Sequence, residues 1–242
     1  MNANFIREKE ERISKYRQNR LLRKAAGNFL EKSIKNKYSY NFSWLGRPVI
    51  QYPQDLILMQ EIIWEVKPDL IIETGIAHGG SLIFYASMLE LIGSGDVVGI
   101  DLDIREHNRK EIQRHPLFDK IKLIEGSSTD ETVINKVQML AKNRRNIMVI
   151  LDSDHTHGHV LRELQIYSPF VSKGSYLVVF DTIIEHLPDS FYQNRSWGKG
   201  NNPKTAVLEF LKTNDRFTID KNIEAKALIT MAPDGYLKCV KD

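Results

Sequence analysis

Residues 70–81 read LIIETGIAHGGS, and this stretch decides the fold. It begins with three apolar residues, two of them β-branched, as in a parallel strand that is covered on both faces. Gly75 lets the chain leave this strand with backbone angles that other residues rarely adopt. Ser81 can cap the next helix or bind a ligand, and an apolar run to Ile92 gives that helix a face to bury. Such a unit of strand, turn and helix binds ligands at the carboxyl end of its strand.

The spacing of this turn is Glu-x-Gly-x-x-x-Gly-Gly-Ser, which differs from the Gly-x-Gly-x-x-Gly pattern of dinucleotide sites. The Glu73 carboxylate would repel a pyrophosphate. It would suit a ligand that carries an amine, such as the methionine part of S-adenosylmethionine. Gly79 and Gly80 would let this ligand approach the backbone where the helix begins. The alternative is a tight turn between a strand and a helix that binds nothing.

Apolar segments alternate with amphipathic ones along the rest of the chain, which predicts a doubly wound α/β sheet. Five parallel strands are expected at 70–72, 97–100, 121–124, 147–151 and 176–180. Closing strands are expected at 217–219, 227–231 and 236–240. The polar segment 183–202 could be a lid over the site.

The composition is that of an ordinary globular protein, with 242 residues, 42% of them hydrophobic and 27% charged. No apolar run approaches the roughly 20 residues of a membrane span. The N-terminus is charged and lacks the apolar core of a signal peptide. Because Cys239 is the single cysteine, we expect a reducing, cytoplasmic setting.

Positive charge is concentrated at the N-terminus, where residues 1–37 carry eleven Lys and Arg against four Glu. Residues 5–37 lack proline and favour one long helix. An aromatic linker then leads to residue 53, so the domains are predicted as a basic arm with its linker (1–53) and a globular domain (54–242). A basic helix could bind nucleic acid or an anionic membrane surface, but its apolar stripe is irregular and no aromatic residues interleave the basic ones. We therefore expect an arm that packs on the domain or on a neighbouring subunit.

Acidic residues follow four of the predicted strands, at Glu73, Asp101, Asp152 and Asp181. Since the carboxyl ends of parallel strands meet at one edge of a sheet, these carboxylates would repel one another unless a cation lies among them. Asp101 is placed to accept hydrogen bonds from the hydroxyls of a ribose. Ser128 follows the remaining strand, where it could contact an adenine edge or cap a helix. Asp152 and Asp181 could share Mg²⁺, which prefers carboxylate and water oxygens.

Three histidines lie between the last two acids, at positions 155, 157 and 159. One interpretation is a non-haem iron site made of Asp152, His155 and His157. The other is a general base beside Mg²⁺, because a histidine can take a proton from a hydroxyl that a metal has acidified. We expect only a structural role for His159, which begins a helix after Gly158.

Taken together, these motifs resemble the cephalosporin hydroxylase and rhamnosyl O-methyltransferase family. This family is a branch of the S-adenosylmethionine-dependent methyltransferases with the Rossmann-like fold. The resemblance runs from about Trp44 to Val240 and is carried by six segments, 60–65, 73–82, 99–109, 124–129, 151–155 and 174–179.

The resemblance implies a mostly parallel seven-stranded sheet, preceded by the helical arm. It implies that S-adenosylmethionine is bound by Glu73, Gly75, Ala77, Gly79, Ser81, Asp101, Ser128 and Asp152. The wider group of metal-dependent catechol-type O-methyltransferases implies a Mg²⁺ site at Asp152, Asp181 and Thr182. The same group has a basic residue three positions after its first metal acid, which makes His155 the catalytic base beside Asp152.

The chain departs from the family pattern at Phe180, where the family usually has Glu, and at Thr182, where the catechol-type enzymes have Asn. One expected metal ligand is therefore missing, and Asp154, Glu185 or water could replace it. We predict an O-methyltransferase that acts on a hydroxyl of a sugar, glycan or secondary metabolite and forms a homo-oligomer, with no nucleic-acid partner. The alternatives are an iron-dependent hydroxylase on the same fold and a subunit that binds S-adenosylmethionine without turnover.

Overall fold

A computed structural model describes residues 2–242, so that Met1 of the predicted arm lies outside the described residues. The strands are β1 (Phe42–Trp44), β2 (Arg47–Val49), β3 (Leu70–Thr74), β4 (Asp96–Asp101), β5 (Ile121–Glu125), β6 (Ile147–Leu151), β7 (Tyr176–Val179), β8 (Phe217–Ile219) and β9 (Tyr236–Cys239). The helices are α1 (Ala3–Gln18), α2 (Arg20–Lys35), α3 (Pro53–Val66), α4 (Gly80–Ile92), α5 (Glu106–Gln113), α6 (Glu131–Ala141), α7 (His157–Tyr167), α8 (Pro203–Thr213) and α9 (Lys221–Ala227).

Seven of these strands form one sheet in the order β5-β4-β3-β6-β7-β9-β8. The first five strands pair in parallel, and β9 runs antiparallel to both β7 and β8. The order reverses direction next to β3, which makes the crevice beside its carboxyl end the expected ligand site. The predicted doubly wound, mostly parallel sheet is confirmed.

Each face of the sheet carries its own apolar core, because successive side chains of a strand point to opposite faces. Ile71 belongs to the core beneath α3 and α4, together with Leu82. Ile72 belongs to the core beneath α6, α7 and α8, together with Leu164. Every residue of β3 and β6 is buried, which explains why residues 70–72 and the whole of β6 are apolar without alternation.

The helical arm predicted over 5–37 is confirmed, but it consists of two helices that meet at Asn19 and not of one long helix. The Asn19 side chain accepts a hydrogen bond from the Leu22 backbone N–H at 3.0 Å, which caps α2 at its start. Asparagine competes for backbone hydrogen bonds in this way, and therefore favours helix ends over helix interiors. Within residues 2–242, no helix is both long and apolar enough to cross a membrane.

The strand predicted at 227–231 is wrong. Helix α9 covers its start, and the chain then turns at Leu228, whose φ is +60°. The buried Asp55 carboxylate accepts hydrogen bonds from the Met231 backbone N–H at 3.0 Å and from the Thr230 hydroxyl at 2.5 Å. Because a side chain satisfies these donors, the segment needs no neighbouring strand.

The aromatic segment before α3 folds over the domain as the hairpin β1–β2. Trp44 packs edge to face on Phe84, with ring centroids 4.9 Å apart, and its Nε1–H donates to the Ser87 hydroxyl at 3.0 Å. Tyr52 shares a 2.6 Å hydrogen bond with Ser33 of α2, so the arm also contacts the domain. The boundary at residue 53 remains a prediction.

Candidate active site

The register of the sheet brings three of the four predicted acids to one edge. Thr74 pairs with Ile100 on one side and with Leu151 on the other, so Asp101 and Asp152 follow neighbouring strands at the same level. The Asp152 backbone N–H also donates to the Thr74 carbonyl at 2.9 Å. The carboxyl ends of β3, β4 and β6 therefore form one acidic rim.

Asp152, His155 and Asp181 form a compact group beside this rim. Each offers one nitrogen or oxygen atom, and these atoms all lie within 4.8 Å of one another. Asp181 has a φ of +55°, which is strained for a residue other than glycine and is often found at functional sites. In residues 2–242, no other group of His, Cys, Asp and Glu side chains is as compact.

The two carboxylates of this group interact unfavourably with each other. Burial raises the pKa of Asp152 well above its usual range, and the neighbouring negative charge of Asp181 raises it further. His155 faces Asp181, with Nε2 3.1 Å from Oδ2. Two carboxylates and an imidazole are a donor set that fits a divalent cation, whose charge would offset the repulsion.

The other two histidines point away from this group. His157 contacts α8, where Nδ1 lies 2.8 Å from the Thr205 hydroxyl and Nε2 lies 3.3 Å from Glu209. His159 lies 3.4 Å from Glu163 on its own helix. The structure thus does not bring the predicted iron-binding triad together, because His157 is absent from the acidic group.

Thr182 and Phe180 also face away from the group. The Thr182 hydroxyl is fully buried and donates to the Pro233 carbonyl at 2.7 Å. Phe180 packs in the core beneath α3 and α4, where 2% of its surface is exposed. The role of Thr182 as a metal ligand remains a prediction. Phe180 is a core residue at the position where the family usually has a glutamate.

Neither of the acids suggested as replacement ligands joins the group. Glu185 accepts hydrogen bonds from the Gly200 backbone N–H at 2.8 Å and from the Asn202 side chain at 2.5 Å. These bonds hold the segment 183–202 onto the start of α8. Asp154 is exposed and accepts a hydrogen bond from the Thr156 backbone N–H at 2.7 Å.

Glu73, the last residue but one of β3, is a fully buried carboxylate. Its Oε2 accepts a hydrogen bond from the Ser81 hydroxyl at 2.8 Å, while its Oε1 has no partner within residues 2–242. Burial raises the pKa of Glu73 to about 8. An orphaned carboxylate oxygen of this kind fits a ligand with an ammonium group. Ser81 does not cap α4, because the cap position is Gly79.

The glycines of the turn allow the chain to pack closely on itself. Gly75 has a φ of +82°, and a Cβ there would collide with the Asp152 carbonyl. A Cβ at Gly80 would collide with the Pro48 carbonyl of β2. The hairpin therefore covers the backbone at Gly80, where sequence reasoning expected a ligand. At Gly79, φ is +79° and a Cβ would meet the side chain of Ile112.

Asp101 holds the turn in place from the end of β4. Its Oδ2 accepts hydrogen bonds from the backbone N–H groups of Ile76 at 2.9 Å and Ala77 at 3.3 Å. Its Oδ1 accepts one from the Asp103 N–H at 3.3 Å. Ala77 itself is exposed on the turn. The acid predicted to bind a ribose thus also shapes the loop beside it.

Ser128 lies after β5 and is nearly buried, with 6% of its surface exposed. Its hydroxyl lies 3.2 Å from His159 Nε2. Helix α6 begins only at Glu131, with Asp130 as its cap residue. Ser128 therefore does not cap that helix. The contact between His159 and Ser128 is consistent with the structural role expected for this histidine.

Sequence reasoning missed the side chains that surround these groups. Trp197 lies edge to face against His155, with ring centroids 5.4 Å apart. Arg47 and Asn108 bind the backbone of the turn. Trp197 could have been noticed in the sequence, because it is the single tryptophan of the segment 183–202. Asn108 lies in one of the resemblance segments, but nothing in the sequence connects Arg47 to the turn.

Comparison with known proteins identifies the family. The family model for rhamnosyl O-methyltransferase/CmcI matches residues 36–240. The rhamnosyl O-methyltransferase of Mycobacterium tuberculosis is 35% identical over 191 residues, which cover 76% of this chain and 72% of that protein. The Mycobacterium leprae protein of the same name is 34% identical over 148 residues, covering 60% of this chain and 62% of its own length.

Solved structures show the same fold. A structure of CmcI with Mg and SAM has a TM-score of 0.60 and 18% identity, over 84% of this chain and 78% of that one. The O-methyltransferase of Bacillus cereus in complex with SAH has a TM-score of 0.50 and 15% identity, over 83% and 82% of the two chains. The Rossmann-like methyltransferase fold and the family predicted from the sequence are confirmed. The chain belongs to the rhamnosyl O-methyltransferase/CmcI family, a family of S-adenosylmethionine-dependent O-methyltransferases.

Proposed function

We propose that this enzyme transfers the methyl group of S-adenosylmethionine to a hydroxyl of a sugar, a glycan or a secondary metabolite. The observation that carries the proposal is the group of Asp152, His155 and Asp181 at the same sheet edge as the glycine turn. In this arrangement His155 would be the proton acceptor and the two carboxylates would bind the metal, beside the place where a methyl donor would lie. The mycobacterial relatives, named for a rhamnosyl acceptor, support a sugar hydroxyl.

The cofactor would lie along the carboxyl ends of β3, β4 and β5. Glu73 would attract the ammonium of its methionine part, because its free oxygen has no other partner within residues 2–242. Asp101 would bind the ribose, and Ser128 would contact the adenine edge. The backbone of the turn, with Gly75, Ala77, Gly79 and Ser81, would form the floor of this site.

His155 would act as the general base. An Nε2–H that donates to Asp181 leaves Nδ1 as the nitrogen that can accept a proton. His155 would take the proton of the acceptor hydroxyl, and S-adenosylmethionine, when bound, would supply the methyl group for the acceptor oxygen. Asp181 would orient the imidazole through the contact with Nε2.

Asp152 and Asp181 would hold Mg²⁺, whereas the hydroxyl of Thr182, the third ligand predicted from the sequence, already donates to the Pro233 carbonyl. When bound, the metal would orient the acceptor and lower the pKa of its hydroxyl. The repulsion between the two carboxylates, which raises the pKa of Asp152, supports a cation at this position. Orientation of acceptor and donor would supply most of the remaining catalysis.

A second candidate is a subunit that binds S-adenosylmethionine but does not turn it over. Phe180 favours it, since an apolar side chain with 2% exposure stands where the family usually has an acid. This candidate predicts cofactor binding without any effect of metal.

The oligomeric state and the location of the enzyme are also proposals. A homo-oligomer is supported by α1, which buries none of its residues and exposes Phe5 and Ile6. Light scattering of the unaltered chain and of the Phe5→Ser variant would test whether two copies of the chain associate through this surface.

A cytoplasmic setting is supported by Cys239, a buried free thiol.

Calorimetric titration of S-adenosylmethionine, first with Mg²⁺ and then with EDTA, tests the proposed function. We expect cofactor binding together with a separate heat for Mg²⁺ alone. Cofactor binding without a heat for Mg²⁺ would favour the subunit without turnover. Absence of cofactor binding would contradict both candidates.

A further inference from the structure

The turn between β3 and α4 contains a strained alanine. The Gly79 N–H donates to the Ile76 carbonyl at 2.7 Å, which closes a turn with Ala77 at its second position. Ala77 has a φ of +44°. Turns with a positive φ at this position usually have glycine there, because a Cβ makes the left-handed conformation unfavourable by at least about fivefold. Something outside the turn must therefore hold it in this shape.

Three side chains from three separate elements bind the backbone at this alanine. Asp101 of β4 accepts the Ala77 N–H at 3.3 Å, and Asn108 of α5 donates to the Ala77 carbonyl at 3.1 Å. Arg47 of β2 donates to the next carbonyl, that of His78, through Nη2 at 2.6 Å and Nε at 3.2 Å. Arg47 Nη2 also donates to Asn108 Oδ1 at 3.0 Å, which joins the two side chains.

We infer that Arg47 and Asn108 are positioning residues for S-adenosylmethionine, since they hold the strained turn in the shape that binds it. The inference rests on the proposed assignment of residues 75–79 to the cofactor. It makes the hairpin β1–β2, which lies outside the doubly wound sheet, part of the cofactor site. Neither side chain needs to touch the cofactor, because both act on the backbone of the turn.

The hairpin has other anchors that do not involve the turn. Trp44 donates to the Ser87 hydroxyl at 3.0 Å, and His115 Nε2 lies 3.1 Å from the Leu45 carbonyl. Loss of the Arg47 side chain should therefore free the turn while the hairpin stays in place. Trp44→Phe provides a matched control, because it removes one hydrogen bond of the same hairpin without touching the turn.

Calorimetric titration of S-adenosylmethionine into the full-length chain tests the inference. We expect Arg47→Met to weaken binding about tenfold, as three hydrogen bonds are lost, and Trp44→Phe to leave it unchanged. In turnover assays, Arg47→Met should raise the KM for S-adenosylmethionine and leave kcat at saturation unchanged. If Arg47→Met does not fold, Asn108→Ala serves instead, since it removes the bond to Ala77 and leaves the Arg47 bonds to His78.

A second substitution separates positioning of the turn from general stability. Ala77→Gly relieves the strain, so we expect Arg47→Met/Ala77→Gly to recover about fivefold in affinity. Equal affinity of Arg47→Met and the unaltered chain would overturn this inference alone. No binding by the unaltered chain would overturn the proposed function and this inference with it. Absence of recovery in the double variant would show that strain at Ala77 is not what Arg47 opposes.

Discussion

His155 Nε2 lies 3.1 Å from Asp181 Oδ2, and this contact connects the segment after β6 to the end of β7. The two side chains are 19% and 26% exposed, so the pair is sheltered but open to a substrate. A sheltered carboxylate that orients an imidazole is a common arrangement for a general base. The pair therefore distinguishes His155, the proposed base, from the other two histidines of this segment.

His155→Gln should abolish turnover while leaving cofactor binding intact. Glutamine keeps a hydrogen-bonding side chain of similar size but cannot take up a proton, so we expect kcat to fall by about 10²- to 10⁴-fold. His157→Gln is the matched control, because His157 contacts Thr205 and Glu209 of α8. Equal loss of activity in both variants, or a loss of S-adenosylmethionine binding with His155→Gln, would contradict the role of His155 as base.

Asp181→Asn should remove the heat of Mg²⁺ binding. Asparagine tolerates the left-handed conformation seen at Asp181, so the fold should persist while the ligand charge is lost. Thr182→Val is the comparison, since the Thr182 hydroxyl donates to the Pro233 carbonyl. We expect this second variant to lose about 1–2 kcal/mol of stability and to keep its Mg²⁺ heat. Loss of the Mg²⁺ heat in Thr182→Val would instead make Thr182 the metal ligand that the sequence predicted.

Glu73 should make the stability of the cofactor-free enzyme depend on pH. Because burial raises its pKa to about 8, the folded state holds this proton more tightly than the unfolded state does. This contribution is fully present below the ordinary pKa of a glutamate and is lost as the pH rises through about 8. Between about pH 6 and about pH 8, the free energy of unfolding should fall by about 2 kcal/mol more than in Glu73→Gln. Parallel denaturation profiles of the two proteins over this range would show that Glu73 is ionised in the folded state.

The sequence predicts the sheet because apolar periodicity and strand-end residues are local signals. The buried runs of β3 and β6 and the acids that follow them can be read without a structure. The register then brings Asp152 close to the turn at Gly75, and the family resemblance supplies the role of His155. The number of seven strands follows from the resemblance, and their mostly parallel pairing follows from the alternation of strands and helices.

What the sequence could not predict depends on contacts between distant segments. Arg47 meets His78 across 31 positions of sequence, and only the folded hairpin brings them together. Asp55 binds the backbone at Met231, which replaces the predicted strand there by an irregular segment. Asn19 looks like any polar residue of a long helix until its side chain caps the second one. Each of these outcomes is decided by a hydrogen bond that leaves no periodic pattern.

Trp197→Ala should weaken binding of the acceptor and leave cofactor binding unchanged. Trp197 lies edge to face against His155 and also against Tyr192, at centroid distances of 5.4 and 5.7 Å. If His155 is the base, Trp197 would shield it from water and form a wall on the acceptor side. We expect kcat/KM for the acceptor to fall roughly tenfold, since contacts of this kind contribute about 0.5–1.5 kcal/mol beyond the buried area. Trp64→Ala is the matched control, because Trp64 lies on α3 with 58% of its surface exposed. Equal effects of Trp197→Ala and Trp64→Ala would show that segment 183–202 has no part in acceptor binding. A loss of kcat/KM in Trp197→Ala alone would assign Trp197 to the acceptor site.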